Sequence, residues 1–140
     1  MKKIVFMLAL IPIVSLAGLN LPKINKTLSG ISSNKTISYY NANNLIDLRG
    51  TLNLTSKHEA DIILFSEENN QNKITIVNSY KKLKKNKNSI GAIYLKKGRT
   101  QIVFVKERLD KHNLHLKQSF RKHLIHEWQL NRVSILKKIK

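Results

Sequence analysis

The chain has 140 residues, a formal net charge of +18 at pH 7 and no cysteine. This length corresponds to one domain, and the lack of cysteine excludes disulfides, cysteine nucleophiles, covalent haem attachment and iron–sulfur clusters. Hydrophobic packing must therefore hold the fold together.

A basic excess of this size indicates nucleic acid, an anionic membrane surface or an acidic protein as a partner. Lysine far outnumbers arginine, and aromatic residues make up only 6% of the chain. Because the chain also carries an export signal, described next, we expect no nucleic-acid partner. The simplest interpretation of the charge is a solvated lysine-rich surface. The functional interpretation is attraction to anionic lipid headgroups or to an acidic partner.

Residues 1–17 are typical of a secretory signal peptide. Two lysines precede an apolar stretch over residues 4–14, and the small residues Ser15 and Ala17 occupy the −3 and −1 positions of a cleavage site. An uncleaved membrane anchor is the alternative, but a spanning helix needs roughly 20 apolar residues. No cysteine follows the stretch, which excludes a lipid-anchored lipoprotein. We therefore expect cleavage of the signal peptide and a periplasmic mature protein.

The first part of the mature chain carries weaker signals. Residues 18–35 are polar and contain Pro22 and Gly30, which predicts a flexible lead-in. Residues 36–40 are compatible with a short strand. Residues 45–54 are ambiguous between a helical turn and a strand.

Stronger strand signals follow in four apolar segments, at residues 61–65, 74–77, 89–95 (beginning at Ser89 or Ile90) and 101–105. A polar loop over 66–72 separates the first two strands. The last two strands are predicted to pair as a hairpin, because Lys97 and Gly98 form a turn in which glycine can adopt positive φ.

Three helices are predicted around these strands. Asn78 or Ser79 can cap a short helix that carries Tyr80 and Leu83 on one face. A second helix spans 106–112 and ends at Asn113. A third spans 117–129, in which apolar residues recur at i, i+4 and i+8 and predict a stripe that docks on the sheet. The residues of that stripe are Phe120, Leu124 and Trp128, with Ile125 alongside.

The order strand, helix, strand, hairpin, helix predicts an α/β fold class. We expect a single small domain over residues 36–130, with a mixed β-sheet flanked by helices. A basic amphipathic tail over 131–140 completes the chain.

Two histidine pairs have H-x-x-H spacing, His112 with His115 and His123 with His126. On a helix such a pair shares one face and can bind a metal ion. The apolar stripe of the third helix, however, places the second pair on the solvent face, where His123 can pair with Glu127. Since no cysteine or acid cluster accompanies either pair, we expect no metal site.

Catalytic patterns are missing from the sequence. The acids are scattered near lysines or arginines rather than paired, and neither a G-x-S-x-G motif nor a glycine-rich phosphate loop occurs. We therefore expect a protein that is not an enzyme and that holds no cofactor.

The strongest candidate binding site is a cluster of cations around the short helix and the hairpin turn. Its members are Ser79, Lys81, Lys82, Lys84, Lys85, Lys96, Lys97 and Arg99. We expect them to lie on one edge of the sheet and to dock an acidic partner or a lipid headgroup. The start of the helix at Ser79 can assist in holding an anion.

Five segments in the second half of the chain carry a family resemblance. In chain order they are Ala-Asp-Ile-Ile-Leu-Phe-Ser (60–66), Ile-Thr-Ile-Val-Asn-Ser (74–79), Ser-Ile-Gly-Ala-Ile-Tyr (89–94), Gly-Arg-Thr-Gln-Ile (98–102) and Leu-His-Leu-Lys-Gln-Ser-Phe (114–120). Over residues 58–126 the chain thereby resembles the YfiR-like periplasmic proteins. The resemblance implies a non-enzymatic periplasmic regulator that restrains an inner-membrane sensor, such as a diguanylate cyclase, by binding its periplasmic domain.

We therefore expect an exported, non-enzymatic binding or regulatory protein that acts on an inner-membrane signalling protein. The alternative is a single lobe, similar to that of a periplasmic solute-binding protein, that recognises a small anion through Arg99, Lys96, Lys97 and the helix start. A metal-assisted enzyme that uses the histidines is the third hypothesis.

The signal-peptide interpretation predicts that the exported protein begins at Gly18. Intact-mass measurement and N-terminal sequencing of periplasmic protein should show the loss of residues 1–17. Replacement of the small −1 residue by a bulky one, Ala17→Phe, should slow processing and leave precursor in the membrane fraction. Recovery of the wild-type chain at full length in the cytoplasm would contradict the interpretation.

Overall fold

The computed structural model of the protein describes residues 18–43, 48, 52–66 and 73–130. The predicted signal peptide, the basic tail and most of the polar loop over 66–72 lie outside these residues. The described elements are α1 (Leu21–Ser29), β1 (Ile31–Ser32), β2 (Tyr39–Asn41), β3 (Ile62–Leu64), β4 (Ile74–Val77), α2 (Tyr80–Lys85), β5 (Ser89–Lys96), β6 (Arg99–Val105), α3 (Lys106–Lys111), β7 (His115–Leu116), a 3₁₀ helix (Gln118–His123) and β8 (Leu124–Ile125). Residues 127–130 are helical.

A mixed sheet of six strands forms the centre of the described fold, in the order β2-β3-β4-β5-β6-β8. The first four strands are parallel, β6 returns antiparallel to β5, and β8 runs parallel to β6. A separate antiparallel pair joins β1 to β7. The α/β fold class, the mixed sheet and the flanking helices predicted from the sequence are confirmed.

The sheet is covered on both faces. Successive residues of a strand point to opposite sides, so Ile93 and Phe104 belong to one hydrophobic cluster, whereas Ala92 and Val105 belong to another. On the first face α1 packs through Ile24 and Leu28, and on the second α2 packs through Leu83. Because β3 is buried on both sides, it appears in the sequence as a continuous apolar run.

A bulge in β5 depends on one glycine. Thr75 of β4 pairs with Ser89, but Ile76 pairs with Gly91, which leaves Ile90 as the extra residue. The ring of Phe104 lies directly over Gly91, and a Cβ atom at that position would be 2.5 Å from the Phe104 ring and 2.6 Å from the carbonyl oxygen of Val103. Only glycine therefore allows the fully buried Phe104 to occupy the centre of the core.

Residues 18–35 do not form a flexible lead-in, so this prediction is wrong. They form α1 and β1, with Asn20 as the N-cap and Gly30 as the C-cap of the helix. The side chains of Ile24 and Leu28 are completely buried in the main cluster. Polar residues and Pro22 make up much of the helix, so its composition resembles a linker even though Leu21, Ile24 and Leu28 have helical spacing.

Tertiary contacts hold α1 in place. The hydroxyl of Tyr39 donates to the carbonyl oxygen of Leu28 (3.0 Å). The amide of Asn20 donates to Oγ1 of Thr100 (2.7 Å), and the ammonium of Lys23 contacts the carbonyl oxygen of the same threonine (3.4 Å). These bonds attach α1 to the nearby β2 and to β6, which is far away in the sequence.

The predicted helix over 117–129 is also wrong. The structure has the 3₁₀ helix and β8 in its place, and a new helix begins only at residue 127. Leu124 pairs with Phe104 at the edge of the sheet, whereas the side chain of Trp128 is 55% exposed. The predicted stripe of Phe120, Leu124 and Trp128 is thus not formed, because these residues make different contacts.

Most other predicted elements are confirmed with small shifts in their ends. The four apolar strands, the hairpin, the helix capped by Ser79 and the helix that begins at Lys106 are all present. The strand predicted at 36–40 is β2, shifted towards Asn41. Most of the ambiguous segment 45–54 lies outside the described residues, although Leu54 forms a bridge with Tyr39.

Substitution of Gly91 should destabilise the protein more than any change at the hairpin turn. We expect Gly91→Ala to lower the free energy of unfolding by about 1–3 kcal/mol, because the Phe104 ring and the backbone must shift. Gly98→Asn is the control, since Gly98 has φ of +76° with open space around it and asparagine tolerates this conformation. It should cost less than about 1 kcal/mol. Urea denaturation measures the free energy of unfolding of both variants. An equal decrease in the two variants would contradict the requirement for glycine at position 91.

Candidate docking surface

The hairpin of β5 and β6 extends beyond the rest of the sheet. Strand β4 pairs with β5 only as far as Ala92, whereas β5 and β6 stay paired to Lys96 and Arg99. Both turn residues, Lys97 and Gly98, have positive φ, as in the type I′ turns that fit the twist of a hairpin. The tip is therefore a regular, paired structure that projects into solvent.

Three of the predicted site residues lie at this tip. Lys96, Lys97 and Arg99 are all exposed, and none has an ion-pair partner among the residues that the structure describes. The neighbouring Leu95 is 39% exposed, one of two large hydrophobic residues with this property in the described ranges. We call Leu95, Lys96, Lys97 and Arg99 the hairpin tip. It combines uncompensated positive charge with an exposed apolar side chain.

The start of α2 lies beside the end of β5 that leads to the hairpin tip. Tyr80 interacts with Tyr94 of β5, and burial raises the pKa of both phenols. The exposed Lys81 follows Tyr80 directly, and Lys82 contacts Oδ1 of Asn78 at 3.0 Å. The structure thus brings Lys81 and Lys82 towards the strand end that leads to the hairpin tip.

Ser79 has a structural role as the N-cap of α2. Its Oγ accepts a hydrogen bond from the amide of Lys82 (3.1 Å) and caps α2. The helix has only six residues, which limits the dipole that it can offer to an anion. Ser79 Oγ is therefore already engaged in the helix cap, and the anion site predicted at the helix start stays a prediction.

Lys84 and Lys85 lie at the other end of α2. That end leads through Asn86 to Ser89, where β5 begins. At 3.3 Å per residue, Ser89 and Lys96 are roughly 23 Å apart along the strand. Lys84 and Lys85 thus lie nearer to the start of β5 than to the hairpin tip.

A buried arginine, Arg108, holds the end of α2 at which Lys84 and Lys85 lie. No pattern in the sequence marks this residue as important. Nη1 of Arg108 contacts the carbonyl oxygens of Leu83 (2.7 Å) and Ser89 (2.8 Å), and a third contact reaches Asn86. Nε and Nη2 donate to the two carboxylate oxygens of Glu127, each at 2.9 Å. Its guanidinium satisfies carbonyls at the end of α2, and this bidentate geometry is specific to arginine.

Glu107, the neighbour of Arg108, fixes the start of the last helical segment. Its carboxylate accepts from the amide of Glu127 (2.9 Å) and from Nδ1 of His126 (2.8 Å). The hydrogen bond from His126 lowers the pKa of Glu107, and that from Arg108 lowers the pKa of Glu127. Both carboxylates are therefore engaged in folding contacts.

The histidines are held apart from one another. His123 is buried, and its Nδ1 donates to the carbonyl oxygen of Ile102 (2.9 Å), so its predicted solvent position and its pairing with Glu127 are wrong. Burial lowers the pKa of His123 and of His112. The described residues contain no group of three metal-ligating side chains.

No match was found when the chain was compared with protein-family models, curated proteins and solved structures. The resemblance to YfiR-like proteins consequently stays a prediction. Within the described ranges, no helix has the length and hydrophobicity to cross a membrane.

The Arg108–Glu127 pair predicts a specific pH dependence. Because Glu127 is charged more readily in the folded state, its contribution to stability is present above its ordinary pKa of 4.5 and is lost as the pH falls below that value. We expect Glu127→Gln to lower the free energy of unfolding by about 1–3 kcal/mol near neutral pH. The loss is moderate because the Glu127 side chain remains 33% exposed.

The difference between Glu127→Gln and the wild type should shrink in urea titrations repeated at successively lower pH. Asp110→Asn is the matched control, since it removes the exposed Lys106–Asp110 pair on α3 and should cost less than about 0.5 kcal/mol. A difference for Glu127→Gln that is independent of pH would show that the charge of the carboxylate is unimportant.

Proposed function

We propose that this protein is an exported, non-enzymatic binding protein whose hairpin tip docks onto an acidic face of a protein partner. The observation that carries the proposal is the paired hairpin tip, whose three cations have no ion-pair partner within the described residues. The alternation along β5 places the exposed Leu95 on the face opposite Lys96 and Arg99. The cations would attract and orient the partner. The leucine would supply the apolar contact that is buried on docking.

A small anion is a less suitable ligand for this surface. Lys96, Lys97 and Arg99 are exposed side chains on a projecting hairpin, and the helix cap at Ser79 is already occupied. Exposed charge pairs contribute little because water screens them. A protein surface that encloses the tip can instead exclude water from Leu95 on one face and from the cations on the other, so a macromolecular partner is favoured.

The class of partner follows from export and from the family resemblance. An exported protein meets the periplasmic parts of inner-membrane proteins, and the YfiR-like resemblance implies a membrane-bound signalling protein that is restrained by docking. An acidic periplasmic region of such a protein would complement the net charge of +16 that is left when Lys2 and Lys3 are removed from the +18 of the full chain. Export and the scarcity of arginine and aromatic residues disfavour nucleic acid.

A regulatory role also agrees with the use of the acids in the described residues. Glu107 and Glu127 hold the last helix, Asp110 pairs with Lys106, and Asp61 accepts hydrogen bonds from Ser38. These carboxylates stabilise the fold, which supports a binding protein in preference to an enzyme.

Charge reversal separates docking at the tip from general electrostatic attraction. The variant Lys96→Glu/Lys97→Glu should reduce recovery of the partner from solubilised inner membranes by roughly tenfold or more. The control Lys84→Glu/Lys85→Glu changes the net charge equally at the other end of α2 and should leave recovery close to that of the wild type. Site-specific cross-linking from position 95, followed by mass spectrometry, identifies the partner. Equal losses in both variants would contradict docking at the tip.

The contribution of Leu95 can be measured separately. Leu95→Ser keeps every charge of the hairpin tip and should still weaken recovery severalfold, because the apolar contact is lost. Flotation with vesicles that contain anionic phospholipid serves as the alternative readout. Tip-dependent binding to vesicles that lack protein would overturn the proposal of a protein partner in favour of the lipid surface.

A further inference from the structure

A groove of about 670 Å³ lies between the outer side of α1 and the 3₁₀ helix. Its apolar lining includes Leu21 and Pro22 at the start of α1 and the ring of Phe120 opposite them. Lys26 and Lys117 also line it, one from each side. The groove involves none of the residues of the hairpin tip. Its volume falls within the range of small-molecule sites.

The shape of the groove is fixed by contacts in the backbone. Phe120 packs directly on Gly30, where a Cβ atom would be 2.6 Å from the ring. The amide of Lys117 donates to the carbonyl oxygen of Gly30 (2.8 Å), and Phe120 stacks on the buried His123 with ring centroids 6.5 Å apart. The apolar lining is therefore held in place without a ligand.

The charge of the groove is uncompensated. Residues 18–34 and 111–126, which supply its two walls, contain neither aspartate nor glutamate. Neither Lys26 nor Lys117 has an ion-pair partner among the described residues. An apolar groove bordered by two such ammonium groups complements a molecule with an apolar body and one negative end.

Asn25 adds a second polar feature to the lining. Its Oδ1 is buried and has no hydrogen-bond partner within the described part of the chain. Buried polar groups in folded proteins are nearly always paired. Because Oδ1 can only accept a hydrogen bond, a carboxylate cannot be its partner, and the lysines alone determine where the negative end of a ligand would lie.

We propose that this groove binds a single-chain anionic amphiphile, namely an alkyl carboxylate of the fatty-acid class. The chain would lie against Leu21, Pro22 and Phe120, and the carboxylate would lie between Lys26 and Lys117. The basic tail over 131–140 and a second copy of this chain are unsuitable occupants, because both carry an excess of positive charge. The site is independent of docking at the hairpin tip.

Titration with decanoate below its micelle concentration tests the site in protein labelled with ¹⁵N-glycine. Gly30 lines the groove, whereas Gly98 lies among the cations of the hairpin tip and reports non-specific binding of anions. The Gly30 amide resonance should shift in a saturable manner while that of Gly98 stays unchanged. Each methylene that reaches the groove should tighten binding by up to about fourfold, so octanoate and hexanoate should bind progressively more weakly.

Variants test the two halves of the site. Lys26→Gln/Lys117→Gln should weaken decanoate binding by about tenfold, whereas Lys84→Gln/Lys85→Gln, with the same loss of charge, should not. Ser119→Trp should fill the groove and abolish saturation at Gly30. Circular dichroism verifies that each variant is folded. An unshifted Gly30, an equal shift at Gly98, or unchanged affinity in the lysine variant would overturn the proposal, and each result leaves docking at the hairpin tip unaffected.

Discussion

The buried guanidinium of Arg108 connects the end of α2, the start of β5 and the last helical segment. It binds carbonyl oxygens at the end of α2 and at the start of β5, and it forms a bidentate pair with Glu127. Without this partner, the carbonyl oxygens of Leu83 and Ser89 and the carboxylate of Glu127 would each lose a charged donor. The short α2, which has six residues and a weak intrinsic tendency to persist, therefore has a fixed end.

The opposite end of the sheet carries the hairpin tip, the docking surface that we propose. Arg108 and Glu107 hold α2, β5 and the last helical segment together at one side of the sheet, so the paired strands can project at the other. Asn20 and Lys23 brace the hairpin where it leaves the sheet, at Thr100. The hairpin tip thus remains ordered although β4 gives it no support there. A rigid surface loses little conformational entropy when a partner binds.

The two proposed surfaces differ in the kind of ligand that they suit. The hairpin tip is convex, charged and solvated, which fits a large partner with opposite charge. The groove beside Phe120 is concave and apolar with two lysines at its border, which fits a small molecule with one negative end. Because α1 contributes both to the brace at Thr100 and to the groove at Leu21, a ligand in the groove would contact the same helix that supports the tip.

The sequence alone determined the elements that depend on neighbouring residues. Local rules are enough to predict the apolar runs of β3 and β4, the cap at Ser79 and the turn at Gly98. The α/β fold class and the cations of the hairpin tip follow from these elements. The tertiary structure decided the rest, because distant partners outweigh local preference. Residues 117–129 have helical spacing, yet Leu124 extends the sheet beside Phe104, and α1 looks like a linker until Ile24 and Leu28 meet the core. Arg108 and Glu127 are 19 residues apart, so no local pattern marks the pair, and the groove exists only where α1 and the 3₁₀ helix meet.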